Sequence, residues 1–167
     1  MQRFFIVGAL LLCSAGSNLD AQSIRPGTRA PEIDLQTLDG SRIKLSNLRG
    51  HAVVVSFWGS WCGPCREEFP ALINVQSRYA LSGLIVLAVN GRDQERSTSD
   101  VRHFIDSYGV SFPVVLDKRG STRRSYRIEL HPTTVFIDSF GIIRRVHTGL
   151  ISPAQLDSGI ATLIRKN

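Results

Sequence analysis

The chain has little cysteine, methionine or lysine. Among its 167 residues Cys occurs only at positions 13, 62 and 65, and Met only at position 1. So few cysteines exclude a small scaffold stapled by several disulfides. No second pair of Cys or His follows Cys62 and Cys65 at a comparable spacing, which sets aside a zinc site. No apolar run reaches the ~18 residues that would span a bilayer. Lysine supplies only Lys44, Lys118 and Lys166 of the 20 basic residues, and the arginines that make up the rest are scattered. Only Arg123-Arg124 and Arg144-Arg145 are adjacent, without the interleaved aromatics of a nucleic-acid patch, so the formal charge of +6 reads as a solvated surface. Such a surface can still steer acidic partners or keep the protein near anionic lipid. Repeats and low-complexity segments are absent, and 43% hydrophobic content is enough for the core of one domain.

The first residues have the layout of a secretory signal peptide. Arg3 precedes an apolar run, Phe4 to Cys13, and small and polar residues lead to Leu19-Asp20-Ala21. Cleavage is expected after Ala21, with Ser17 as the alternative, giving a leader over 1–21 and one domain over 22–167. Cys13 raises a lipoprotein signal, but Leu12 stands where a small residue would be expected. An uncleaved anchor is the remaining reading. Removing the leader would leave Cys62 and Cys65 as the only cysteines of the mature chain. A purely structural bridge over so short a loop removes little unfolded-state entropy. A lone close pair in an exported protein is better explained as a redox couple.

Local sequence supports that reading. Val53-Val54-Val55-Ser56-Phe57 predicts a strand buried on both faces, and a helix is predicted from Arg66 onward. The cysteines therefore stand where a strand hands over to a helix. There the first amide N–H groups lack intrahelical partners and the dipole carries about half a positive charge, which stabilises a thiolate. Cys62 is expected to be the attacking sulfur and Cys65, one turn inward, the resolving one.

Phe57-Trp58-Gly59-Ser60-Trp61-Cys62-Gly63-Pro64-Cys65-Arg66-Glu67-Glu68-Phe69-Pro70 resembles the active-site segment of thioredoxin-like proteins, most closely the TlpA/ResA-type thiol-disulfide oxidoreductases of the bacterial periplasm. The resemblance implies an α/β thioredoxin-like fold, a mixed central sheet with helices on both faces, carrying an N-terminal β-hairpin and a central helix–strand insertion. The sequence accommodates each part. Glu32 to Leu35 and Arg42 to Leu45 alternate around an Asp39-Gly40 turn, as a hairpin at the sheet edge would. Phe69, Leu72, Ile73, Gln76 and Tyr79 give the helix after Cys65 one face, with a proline kink expected at Pro70 and a stop at Gly83. Leu84 to Val89 predicts a buried parallel strand. A helix capped by Asp100 should run to Tyr108, and a short strand over Val114 to Leu116 completes the insertion. Ser121 to Arg127 suggests a short helix, Thr133 to Ile137 and Ile142 to Thr148 an antiparallel pair, and Ser152-Pro153 the start of a last helix that buries Leu156, Ile160, Leu163 and Ile164.

The resemblance also assigns roles. His131-Pro132-Thr133-Thr134 matches the segment whose proline is cis and packs on the cysteines, so that the backbone at 131 can pair with an extended substrate segment. Leu130 and His131 depart from the residues common there. His131 has two readings, an imidazolium that favours the Cys62 thiolate or a surface ring that only shapes the groove. Glu68 matches an acidic position near the family's active site and is expected to take the proton of Cys65 or tune the pair by its charge; the other reading is a solvated helix carboxylate. Thioredoxins use a buried Asp on the preceding strand, where this chain has Ser56. Trp61, Gly63 and Pro64 complete the partner-contacting surface.

The implied activity is thiol-disulfide exchange with exported protein thiols or disulfides, by a protein that acts as a monomer outside the cytoplasm and is either free in the periplasm or membrane-anchored. No dissociable cofactor is needed. Gly63-Pro64 is the dipeptide of reducing thioredoxin, which points to a reductant supplied by a membrane thiol donor, with cytochrome c biogenesis as one setting. A different class of function is a Cu(I)-binding or copper-delivery module that uses Cys62, Cys65 and His131.

Overall fold

The computed structural model describes residues 24–164; the expected leader and its cleavage site lie outside them. Seven strands form one sheet: β1 (Asp34–Thr37), β2 (Arg42–Lys44), β3 (Ala52–Trp58), β4 (Leu84–Asn90), β5 (Val114–Leu116), β6 (Thr133–Ile137) and β7 (Ile143–Thr148), in the order β2-β1-β5-β4-β3-β6-β7. The central pairs β3–β4 and β4–β5 are parallel, and every other pair is antiparallel. Four helices accompany it: α1 (Gly63–Tyr79), α2 (Thr98–Tyr108), α3 (Ser121–Ser125) and α4 (Pro153–Ile164). Among the described residues no helix is long and apolar enough to cross a membrane.

The strands sort the core into two layers, because side chains alternate across a sheet. Val54 and Trp58 of β3 join Val86 and Ala88 of β4 beneath α1, α2 and α4, contacting Phe69, Leu72, Phe104, Leu156 and Ile160. Val53, Val55 and Phe57 face the other way with Leu87, Val89, Val135 and Tyr126, the residue that ends α3. The same alternation puts Ser56 on the α1 side. All seven residues of β3 are buried, as its unbroken apolar run requires.

Several boundaries differ from expectation for identifiable reasons. Helix α1 begins at Gly63, three residues before Arg66, because Cys62 itself is the N-cap and Pro64 is tolerated in the first turn. It then continues unbroken through Pro70 to Tyr79, and residues 80–82 add a tighter turn before Gly83, whose φ of 76° suits a residue without Cβ. The cap of α2 is Ser97, whose Oγ accepts the Asp100 N–H at 3.1 Å; Asp100 lies inside the first turn, where its charge suits the dipole. The hairpin β1–β2 extends the sheet edge through an antiparallel pairing of β1 with β5.

Two features of topology build the site. Parallel pairing aligns Trp58 with Asn90, so the loops leaving β3 and β4 emerge side by side. Antiparallel pairing aligns Ser56 with Thr134 and Phe57 with Thr133, so the segment entering β6 arrives at the same end. In sheets of this kind that edge, at the carboxyl ends of the parallel strands, is where ligand sites form.

Candidate active site

Cys62 and Cys65 are joined by a disulfide at the N-terminus of α1, with Cα atoms 5.3 Å apart. The Cys62 Sγ accepts the Cys65 backbone N–H at 3.2 Å, so a sulfur occupies the place a Ser or Asp oxygen usually takes at a helix start. Cys62 is 4% exposed and Cys65 fully buried. Beneath them Trp58 packs on Phe69 and Phe104, with ring centroids 4.7 and 4.6 Å away. Phe104 belongs to α2, so this aromatic cluster ties the insertion to the helix that carries the cysteines.

Glu68 is 1% exposed, not solvated. It follows Cys65 by one turn and points into the sheet, where the Ser56 hydroxyl donates to Oε1 at 3.2 Å and the Thr134 hydroxyl donates to the same oxygen at 3.0 Å. Ser56 and Thr134 are cross-strand partners on the α1 face, so the register of β3 and β6 creates this receptor. Burial pushes the Glu68 carboxyl up to about 7, against the pull of the two hydroxyls. Its second oxygen is buried without a hydrogen-bond partner. The chain thus places a buried carboxyl beside the strand position held in thioredoxins by an acid, reached from the helix instead of from Ser56.

The His131–Pro132 peptide is cis. The His131 Nε2 donates to the Gln94 side-chain oxygen at 2.9 Å, and its ring lies edge-on to Trp61 at 5.7 Å between centroids. The Nδ1 is buried and unpartnered. Burial holds the imidazole below its ordinary value, reinforced by Arg123; the Phe57 carbonyl pulls the other way without reaching hydrogen-bond geometry to the ring. This direction favours a neutral ring over the imidazolium reading. Trp61 is 53% exposed and lies over Gly59, where an added Cβ would sit 2.7 Å from the indole nitrogen. Gly63 and Pro64 are exposed beside it.

Sequence reasoning passed over the loop after β4. Glu95 is buried there, and its carboxylate receives the Ser60 N–H at 2.6 Å, the Ser60 hydroxyl at 2.6 Å and the Asn90 side-chain amide at 2.7 Å. The signal was an acidic residue and a strand-terminal Asn at the carboxyl edge of a buried parallel strand; a polar loop composition concealed it. Between this loop, Trp61, Arg66 and α2 runs a groove of about 520 Å³ that Arg96, His103 and Tyr108 also line. In the oxidised form both sulfurs of the copper reading are in the disulfide and the His131 Nε2 is on Gln94, while its Nδ1 has no hydrogen-bond partner. Among the described residues no three His, Cys, Asp or Glu side chains form a group that could hold a metal ion.

Known proteins show the same arrangement of sequence and fold. The model of the AhpC/TSA family matches residues 26–146. The chain is 37% identical over 134 residues to the thioredoxin-like protein YneN of Bacillus subtilis, covering 80% of this chain and 78% of that one. It is 35% identical over 164 residues to the thiol-disulfide oxidoreductase ResA of the same organism, covering 93% and 90%. Among solved structures, StoA from Bacillus subtilis superposes with a TM-score of 0.69 at 27% identity, over 81% of this chain and 99% of that one. With a redox-capable cysteine pair at the end of β3 in a thioredoxin-like sheet, the chain belongs to the AhpC/TSA family, on its ResA-type branch, and is a thiol-disulfide oxidoreductase.

Proposed function

We propose that the protein is an exported reductant that transfers electrons from the Cys62–Cys65 dithiol to disulfides of other exported proteins, apocytochrome c being one client class of suitable chemistry. The observation that supports the exchange chemistry of this reading is the buried Glu68 carboxyl, one helical turn from Cys65 and raised to about 7. A resolving thiol must lose its proton to attack, and a base with a pKa near the working pH accepts that proton most effectively.

In the reduced protein the Cys62 thiolate attacks one sulfur of the client disulfide. A mixed disulfide forms and the client's first thiolate leaves. Cys65 gives its proton to Glu68 and attacks the Cys62 sulfur, breaking the mixed disulfide and releasing the client's second thiolate. Each client thiolate takes up a proton, so two electrons and two protons pass to the client while Cys62 and Cys65 close their disulfide. A membrane thiol donor then restores the dithiol. The backbone at His131, the indole of Trp61 and the exposed Gly63-Pro64 pair form the surface on which the client segment lies. Gly63-Pro64 favours the reducing direction, by likeness to reducing thioredoxin. The protein acts as a monomer outside the cytoplasm, after removal of the leader or held by it.

The test is trapping. Cys65→Ser should accumulate a mixed disulfide between Cys62 and exported proteins, identified by mass spectrometry after non-reducing electrophoresis. Cys62→Ser should trap nothing and lose turnover. An active Cys62→Ser variant would overturn the assignment of the attacking sulfur.

A further inference from the structure

We infer that Glu95 is a positioning residue for client binding: it fixes the Ser60-Trp61 lip beside the reactive disulfide. This rests on the exchange reaction proposed above and adds a residue outside the motif segment. Ser60 stands immediately before Trp61 and two residues before Cys62. Three of its polar groups are held. Its N–H and hydroxyl both go to the Glu95 carboxylate at 2.6 Å, and its carbonyl accepts the Arg66 guanidinium at 2.9 and 3.3 Å. Carboxylate oxygens only accept, and hydrogen bonds to a charged acceptor are the short, strong kind, so this arrangement leaves the lip few alternative conformations.

The anchor must itself be firm for this to work. Glu95 is braced by the Asn90 amide at 2.7 Å, from a residue at the end of β4 that is fully buried. The loop's first residue donates its N–H to the Trp58 carbonyl at 3.0 Å, and Asp93 is tied to the far side by the Asp117 carbonyl and an ion pair with Arg123 at 3.3 Å. Gln94, the neighbour of Glu95, receives the His131 Nε2. One short segment therefore grips both edges of the site, the lip before Cys62 and the segment with the cis peptide. The lip in turn carries Trp61, the most exposed aromatic beside the cysteines, and forms one wall of the groove over α2. Loosening Ser60 lets Trp61 and that wall move while the sulfurs stay on α1. The penalty then falls on holding an extended client, and so on KM.

The experiment is steady-state reduction of insulin disulfides by the full mature protein, recycled by a chemical reductant, with folding checked by thermal melting. Glu95→Ala should raise KM about tenfold, equivalent to about 1.4 kcal/mol of binding, with kcat lowered much less. Glu95→Gln, which keeps an acceptor for the two N–H groups and offers its amide to the Ser60 hydroxyl, should restore KM to within about threefold of wild type. A folded Glu95→Ala variant with unchanged KM would overturn the inference, as would a Glu95→Gln variant as impaired as Glu95→Ala. If Glu95→Ala does not fold, Ser60→Ala, which removes only the hydroxyl bond, carries the test: KM should rise about threefold, and an unchanged KM refutes it. Wild-type protein unable to reduce insulin would instead refute the reductant reading.

Discussion

Glu68 makes a stability signature that can be read without any client. Its carboxyl is ordinarily near 4.5 and burial raises it to about 7 in the folded protein. Between those values the folded chain holds a proton that the unfolded chain has released. The folded state then binds more protons, so stability falls as pH rises through this window. Below about 4.5 there is no cost, and above about 7 the cost is complete, on the order of 3 kcal/mol at 1.36 kcal/mol per pH unit. Glu68→Gln removes the titration and keeps an acceptor for Ser56 and Thr134, although its amide meets a pocket that holds no partner for Oε2. That mismatch is independent of pH. The stability of the variant minus that of the wild type should therefore climb by up to about 3 kcal/mol between about pH 5 and pH 8 and then level off. Urea unfolding of the oxidised proteins at a series of pH values measures it. His131, with a lowered pKa, loses stability in the opposite direction as pH falls below its ordinary value, and that contribution cancels in the difference. A difference that stays flat from pH 5 to pH 8 would refute a raised Glu68.

Further outcomes follow from the same geometry. Thr134→Val removes one of the two hydroxyls that favour the ionised carboxyl, and should move the Glu68 midpoint higher still, measured as the pH at which the stability slope has fallen to half its maximum on the alkaline side. Nitrogen NMR of His131 should show a neutral ring protonated on Nε2 throughout the range above its ordinary pKa, and an imidazolium at pH 7 would contradict it. Gly159→Ala should destabilise by about 1–3 kcal/mol through overpacking, because its Cβ would lie 2.6 Å from Phe136 Cζ; a denaturant midpoint matching wild type would show that the α4 interface yields.

The sequence displayed the scaffold better than it displayed the second half of the site. Runs such as Val53 to Phe57 and Leu84 to Val89 lack polar alternation, as strands covered on both faces require, and both are strands in the structure. Helix ends were harder. A residue that caps with its sulfur gives no sign that α1 begins at Gly63, and Ser97 and Asp100 are equally good caps until the backbone selects one. Glu68 could be placed near the cysteines by helical spacing, but its burial depends on Ser56 and Thr134, which meet only when β6 pairs with β3. Glu95 was hidden, since its partner Ser60 is 35 residues away and Glu95 itself lies in a segment that reads as a polar loop. The buried face of α1 includes Val75 as well as Glu68, whereas Gln76 turns aside to bond the edge of β4 at Leu84 and Val86.

The most direct measurement of the central claim is the equilibrium reduction potential of the Cys62–Cys65 pair in the mature protein, against dithiothreitol or glutathione buffers. A reductant of exported proteins requires a value near or below about −250 mV, in the range of reducing thioredoxins. A value near −120 mV, that of a strong periplasmic oxidant, would contradict the account and make the clients proteins awaiting their disulfides.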